Sequence, residues 1–494
     1  MKKVMKLSYD NPAPDDDKRG WRYDSAKNMG WESQSLPIGN AYFGAKLFGL
    51  TERERIQLSE KTLSTNGTTR NSGNTSFAEC YIHFNHSFNE VENYSRELSL
   101  DESIARVGYT YGGVKYTREY FASYPDKVAV IKLEASERGM LSFTLEPKIS
   151  YFSFEGRSGD VTGDADNKAR VGTLTLAGHL PGGNVDDATA GYGRGTVGYE
   201  MDFEAQFRVI AEGGEISAMS GEGCLDKELD EYSNATLTVN GADRAYIIIS
   251  LGTNYELCEQ IFSEKDNSKK LAGLPHPHER ITDIIDAASN KSYSELKRRH
   301  TEDYQKLFSR VKLDLGGAVE SVTTDELIAR YKQGEDRIYL EELFFQFGRY
   351  LLISSSREGC LPPNLTGVWN RYHTAICLNG YWSNVNIQMN FWSAFNTNLA
   401  ECFKSYEDFY KAYLPANSNS AAEVLVNNGR VSSMDEIEGE LWSIATGMTP
   451  FSAHSAYGGR DGWGNTSYMA ESFWDCYDYT RDEKSLLTWS FPRF

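Results

Sequence analysis

No stretch of the 494-residue chain approaches the roughly 20 consecutive apolar residues that cross a bilayer, which excludes a transmembrane helix. The start of the chain, MKKVMKLSYDNPAPDDD, lacks the apolar core of about 7–15 residues that a secretory signal requires. As given, the sequence predicts a cytoplasmic protein and leaves export open to a different start codon. Cysteine is scarce: Cys80, Cys224, Cys258, Cys360, Cys377, Cys402 and Cys476 are odd in number, scattered and without a CxxC spacing. That pattern argues against a disulfide scaffold or a zinc–thiolate centre and predicts reduced thiols. Positive charge is in deficit, with 51 Lys plus Arg against 70 Asp plus Glu and a formal net charge of −19. Such a chain repels nucleic-acid phosphates and anionic lipid, so neither a nucleic acid nor a membrane is an expected partner. The GYGRG run at Gly191–Gly195 lacks the strand–turn–helix setting and the following Lys-Ser/Thr of a phosphate loop. Asp160, Asp164 and Asp166 lack the terminal Glu of a calcium loop and read as a solvated acidic loop.

Aromatic surface is what the chain has in excess: 30 Tyr, 24 Phe and 9 Trp make up 13% of it. Aromatic faces laid over sugar C–H groups are one use of such a surplus. At about 150 residues per domain the length allows roughly three folding units. Between about Trp31 and Leu257 the runs Val107–Tyr111, Val128–Leu133, Leu141–Ile149, Phe203–Ile210 and Tyr246–Leu251 predict an antiparallel sandwich of two sheets. The Gly/Asp-rich stretch Gly156–Gly198 reads as hairpin loops, and His276 and His278 as a surface loop. Beyond Pro275 the period becomes helical. Tyr293, Leu296, His300, Tyr304 and Leu307 form one stripe over Ser292–Ser309, a linker helix. Further helices are predicted over Thr324–Ser354, Ile387–Phe403, Tyr406–Asn427 and Ser467–Arg481. The division is a β domain over 1–275, a linker over 276–322 and a helical domain over 323–494.

The chemistry concentrates in Leu361–Cys402. Here Asn364, Asn370, Asn379, Asn384, Asn386, Asn390, Asn396 and Asn398 stand among Trp369, Trp382 and Trp392, where a buried helix would carry Leu and Val. Each amide offers one acceptor and two donors, matching the mixed hydroxyls of a pyranose, while indoles cover its apolar face. Asn364, Asn379, Asn396 and Asn398 are equally suited to caps and turns. Asn384 and Asn386, spaced i, i+2 just before an apolar helix, are placed to point into one cavity.

Several motifs resemble glycoside hydrolase family 95. They include Trp31, the run Leu36-Pro37-Ile38-Gly39-Asn40-Ala41, Phe43-Gly44-Ala45, Arg55-Ile56-Gln57-Leu58 and Tyr116–Pro125. Gly348–Arg357 leading to Pro363–Asn370, and Asn384-Val385-Asn386-Ile387-Gln388-Met389-Asn390-Phe391-Trp392, continue the likeness in order along most of the chain. The resemblance implies an N-terminal antiparallel β-supersandwich followed by an (α/α)6 barrel, and an inverting exo-glycosidase that removes α-L-fucosyl or α-L-galactosyl residues from a glycan. No metal and no cofactor are implied. Inversion needs an acid for the leaving oxygen and an activated water on the opposite face of the ring, about 6.5–9.5 Å apart. By resemblance Asn384 and Asn386 hold that water. Asp475 stands where the family has its acidic Glu, one methylene shorter, and Glu471 lies one helical turn earlier on the same face. Both also fit solvated helix charges. Trp369, Asn370, Trp382, Asn390, Trp392, Trp442 and His454 are the expected substrate contacts, although some relatives carry His in place of Trp382 and a carboxylate in place of Phe395. Twelve helices need more than the roughly 170 residues after 325, so the barrel is expected to be incomplete and its aspartate base to lie beyond the chain. The alternative is a carbohydrate-binding protein without catalysis. A phosphorylase on the same architecture would need basic or Ser/Gly phosphate donors that the sequence does not show.

Overall fold

A computed structural model of the chain describes residues 3–15, 30–65, 67–68, 73–153, 156–182, 196–318, 322–335, 337–373, 375, 379–427, 429–436, 444, 446–451 and 464–484. Alternation builds its first half, since every second side chain of a strand faces the same side. In Leu141–Ser150, Leu141, Phe143 and Leu145 are buried while Ser142, Thr144 and Glu146 face outward. Hydrogen bonds join such strands into one antiparallel, 14-stranded sheet. The path runs from Lys6–Tyr9 through Val91–Ser99, Ile104–Tyr111, Val114–Ser123 and Val128–Ala135 to the long strand Glu231–Thr253. It continues through Leu141–Ser150, Ala78–His83, Arg53–Glu60 and Phe43–Leu47 to Leu36–Gly39.

The expected pair of separate sheets is thus a single curled one, and the long strand shows why. Its second half, Arg244–Ile249, pairs with Ala129–Glu134, whereas Glu231–Ala242 pairs with Leu141–Ser150. Strands that switch layers in this way need a bulge or bend. The register against the neighbouring strand Met201–Asp226 shifts between Glu212 and Gly213. Gly214 at the bend has φ +65°, and a Cβ there would stand 2.2 Å from the Asn240 carbonyl, so only glycine fits.

Eight α-helices follow among the described residues: α1 Glu259–Ser263, α2 His278–Ser289, α3 Tyr293–Phe308, α4 Thr324–Gln333, α5 Arg337–Ser355, α6 Asn386–Asn396, α7 Lys404–Asn427 and α8 Asn465–Thr480. Ile281, Ile285 and Ala288 of α2 and Leu296 of α3 bury Ile104, Phe121, Val128, Val130 and Ile248 on the outer face of the sheet. Ser292 caps α3, its hydroxyl accepting from Glu295 N–H. Tyr304 ties α3 to the sheet by donating to the Leu100 carbonyl at 2.7 Å.

Other expectations change as well. The predicted helix Thr324–Ser354 is two, because Gly334 at φ +91° ends α4 in the left-handed conformation. The stretch beginning at Gly156 holds paired strands, Ser158–Asp166 and Val171–Leu180, rather than loops alone. Ser158–Asp166 is an edge strand burying little beyond Val161, and its acids suit an edge that must not recruit another strand. GYGRG at 191–195 lies outside the described residues. His278 is not in a loop: it opens α2 with Nδ1 3.0 Å from the buried Glu204 carboxylate.

The helices meet the sheet along a seam. Trp31, Phe48, Val368, Trp369 and Tyr372 pack together there with Ala13. The Trp369 indole N–H donates to the Ile38 carbonyl at 2.9 Å, and Tyr350 donates to Pro37 at 2.6 Å. A Cβ on Gly44 would lie 2.8 Å from Trp369 Nε1, so the glycine admits the indole.

Candidate active site

The Asn384–Asn386 turn is built by a short ribbon. Tyr381 pairs with Met448 and Trp382 with Gly447, and Ser383 N–H donates to the Thr446 carbonyl at 2.8 Å. Gln388, in the first turns of α6, reaches back to donate to the Ser383 carbonyl at 2.7 Å. Ribbon and glutamine together fix the turn from which α6 starts. Asn384 is exposed and Asn386 half-buried, and neither amide has a protein hydrogen-bond partner among the described residues. Two unengaged amides on a fixed turn have donors and acceptors to spare for a water or a hydroxyl.

Below the turn, aromatic side chains connect it to α8. The Ser383 hydroxyl lies 3.4 Å from that of Tyr410, and the Tyr410 ring lies 4.7 Å from Tyr406. Phe473 of α8 packs 5.4 Å from Tyr406 and 5.7 Å from Phe403, while Phe395 of α6 stacks on Tyr479 at 5.8 Å. Burying Met469, Ala470, Phe473 and Cys476 turns α8 so that Glu471 is exposed and Asp475 half-buried. Partial burial, then the carboxylates of Glu471 and Asp478, raise the Asp475 carboxyl above the usual aspartate range. No hydrogen bond joins either amide to Asp475 or Glu471 among the described residues.

The other expected contacts divide. Trp382 lies over Gly447 in the ribbon, and Trp392 on α6 is 55% exposed. Trp369 and Asn370 are buried in the seam, where the Asn370 amide donates to the Asn74 and Tyr372 carbonyls at 2.9 and 3.2 Å. Asn390 donates to the Pro363 and Asn364 carbonyls at 3.2 and 3.3 Å. Trp442 and His454 lie outside the described residues. Among the described residues no group of three His, Cys, Asp or Glu is arranged to hold a metal. A cavity of about 720 Å³ opens in the seam among Trp31, Lys46, Phe344, Phe347 and Trp369. Asn384, Asn386, Glu471 and Asp475 do not line it. The residues that hold the turn, Ser383, Gln388 and Tyr410, were not singled out in the sequence. Gln388 alone offered a signal, as a polar residue among the apolar positions at the start of α6.

In this chain a curled antiparallel domain packs along a seam on helices that present an amide-bearing turn. Residues 64–257 match the glycosyl hydrolase family 65 N-terminal domain, and residues 292–494 match the glycosyl hydrolase family 95 catalytic domain. The helical part of the chain is thus similar to that catalytic domain. Alpha-L-fucosidase 2 of Arabidopsis thaliana is 26% identical over an alignment covering 100% of this chain and 58% of the relative. "Probable alpha-fucosidase A" of Aspergillus niger is 28% identical, with 82% and 45% covered. The chain therefore spans about half the length of these relatives. Among solved structures, "Putative kojibiose phosphorylase from human microbiome" aligns with a TM-score of 0.58 at 10% identity, covering 98% of this chain and 57% of that one, a likeness of fold.

Proposed function

We propose that the protein removes terminal α-L-fucosyl or α-L-galactosyl residues from oligosaccharides with inversion, on a helical region that forms part of an (α/α)6 barrel. The observation that carries this reading is the fixed turn with its two unengaged amides, Asn384 and Asn386, in a chain related to α-L-fucosidases. In this reading the two amides hold the attacking water and Asp475 protonates the leaving oxygen. Glu471 acts on Asp475 by charge or takes the acid's place. Trp382 and Trp392 cover the apolar face of the sugar, with Asn390, Trp442 and His454 as further contacts. Incubation with a 2′-fucosylated oligosaccharide tests the reading. Release of free L-fucose supports it, and calorimetric binding without release favours a non-catalytic carbohydrate-binding protein.

The electrostatics of α8 give a second expected outcome. A general acid works protonated, so activity falls as pH rises through the raised pKa of Asp475. Glu471→Gln removes one of the negative charges that raise it, so the alkaline limb of the kcat profile should move to lower pH. A limb that stays in place would remove Glu471 from this role. Loss of activity at every pH would make Glu471 the acid.

A further inference from the structure

Resting on that reading, we propose that Lys61 of the β domain is a positioning residue for the Asn384–Asn386 turn, acting through the Ser355–Asn364 segment and α6. Lys61 follows the strand Arg53–Glu60 and is 3% exposed. Its ammonium has no carboxylate within ion-pair distance among the described residues, and it donates to the carbonyls of Ser355, at 2.9 Å, and Leu361. The adjacent Glu60 is otherwise engaged: one carboxylate oxygen accepts from Thr62 N–H at 2.6 Å, Leu63 N–H at 2.9 Å and the Thr62 hydroxyl at 2.7 Å. A buried ammonium without a counter-charge is unfavourable, and an apolar side chain of similar size would hold a seam together better. Burial lowers the Lys61 pKa to about 8. What the lysine adds over an apolar residue is direction, because it fixes two named carbonyls.

Those carbonyls lead to the site. Ser355 ends α5, and Leu361 begins the segment whose Pro363 and Asn364 carbonyls accept from Asn390 at 3.2 and 3.3 Å. Asn390 lies one turn beyond Asn386 on α6. A chain of contacts through Lys61, Leu361, Asn364 and Asn390 thus runs from the β domain to the helix that starts at the amide pair. The same domain grips the other side of the turn. Tyr255 donates to the Pro450 carbonyl at 3.0 Å and Tyr199 stacks on Phe451 at 3.9 Å, just beyond the ribbon residue Met448. The turn stands between two contacts made by the β domain.

Three variants of the full chain test this: Lys61→Met, Tyr255→Phe, and as a stability control Val239→Ala in the sheet interior. Lys61→Met is expected to lower kcat roughly tenfold to a hundredfold with KM little changed, since small displacements of a reacting group are costly. It should also speed hydrogen–deuterium exchange at residues 383–390. Tyr255→Phe should do the same to a smaller extent, and it carries the comparison if Lys61→Met does not fold. Val239→Ala should lower the melting temperature and change neither quantity. Wild-type kcat and exchange in the first two variants, or an equal change in the control, would overturn the assignment. A wild-type chain that releases no sugar would count against the fucosidase reading, and exchange at 383–390 would still decide the role of Lys61.

Discussion

Asn384→Ala and Asn386→Ala are each expected to lower kcat toward an α-L-fucoside by about 10²–10³, the scale of losing one fixed polar group from a transition state. KM should stay within about twofold, because a water out of place harms the transition state far more than the bound substrate. The structure makes the substitutions clean. The turn is held by Ser383 on Thr446 and by Gln388 on Ser383, and neither asparagine side chain takes part. Val385 precedes α6 without a side-chain capping bond, so truncation at Asn386 removes no cap, and alanine is the better helix former. A large fall in kcat with an unchanged melting temperature would therefore report on chemistry. Unchanged turnover in both variants would remove the pair from the mechanism.

Trp369→Ala should cost about 3–5 kcal/mol of stability, the usual range for emptying a buried aromatic site. Trp369 is 7% exposed, donates to the Ile38 carbonyl and fills the space left by Gly44. The loss would appear as a lower midpoint in chemical unfolding, with KM for the glycan little changed in the fraction that folds. Unchanged stability with a raised KM would return Trp369 to the sugar contacts.

These two predictions mark where the sequence was legible and where it was not. Strand alternation and the stripe on α3 depend on neighbours two to four residues away, so the sheet domain and the linker helix could be read directly. The position of Asn384 and Asn386 at the start of an apolar helix could be read too, because that pattern is local. Trp369 and Asn370 could not be assigned. An amide beside an indole has the same pattern whether it meets a sugar or a main-chain carbonyl, and the partner of Asn370, Asn74, lies 296 residues away. Lys61 is a similar case, with carbonyl partners 294 and 300 residues along the chain. The break between α4 and α5 was missed because a single glycine in a helical run is often tolerated. The strand Ser158–Asp166 was missed because an edge strand with one buried apolar residue carries almost no alternation.

In the proposed mechanism a water held by Asn384 and Asn386 attacks the sugar from the face opposite the acid. The most direct measurement is proton NMR of the first sugar released from an α-L-fucoside, before mutarotation. β-L-Fucose is the expected initial product. Initial α-L-fucose would mean retention through a covalent intermediate, a mechanism in which an amide pair holding water could not be the attacking element.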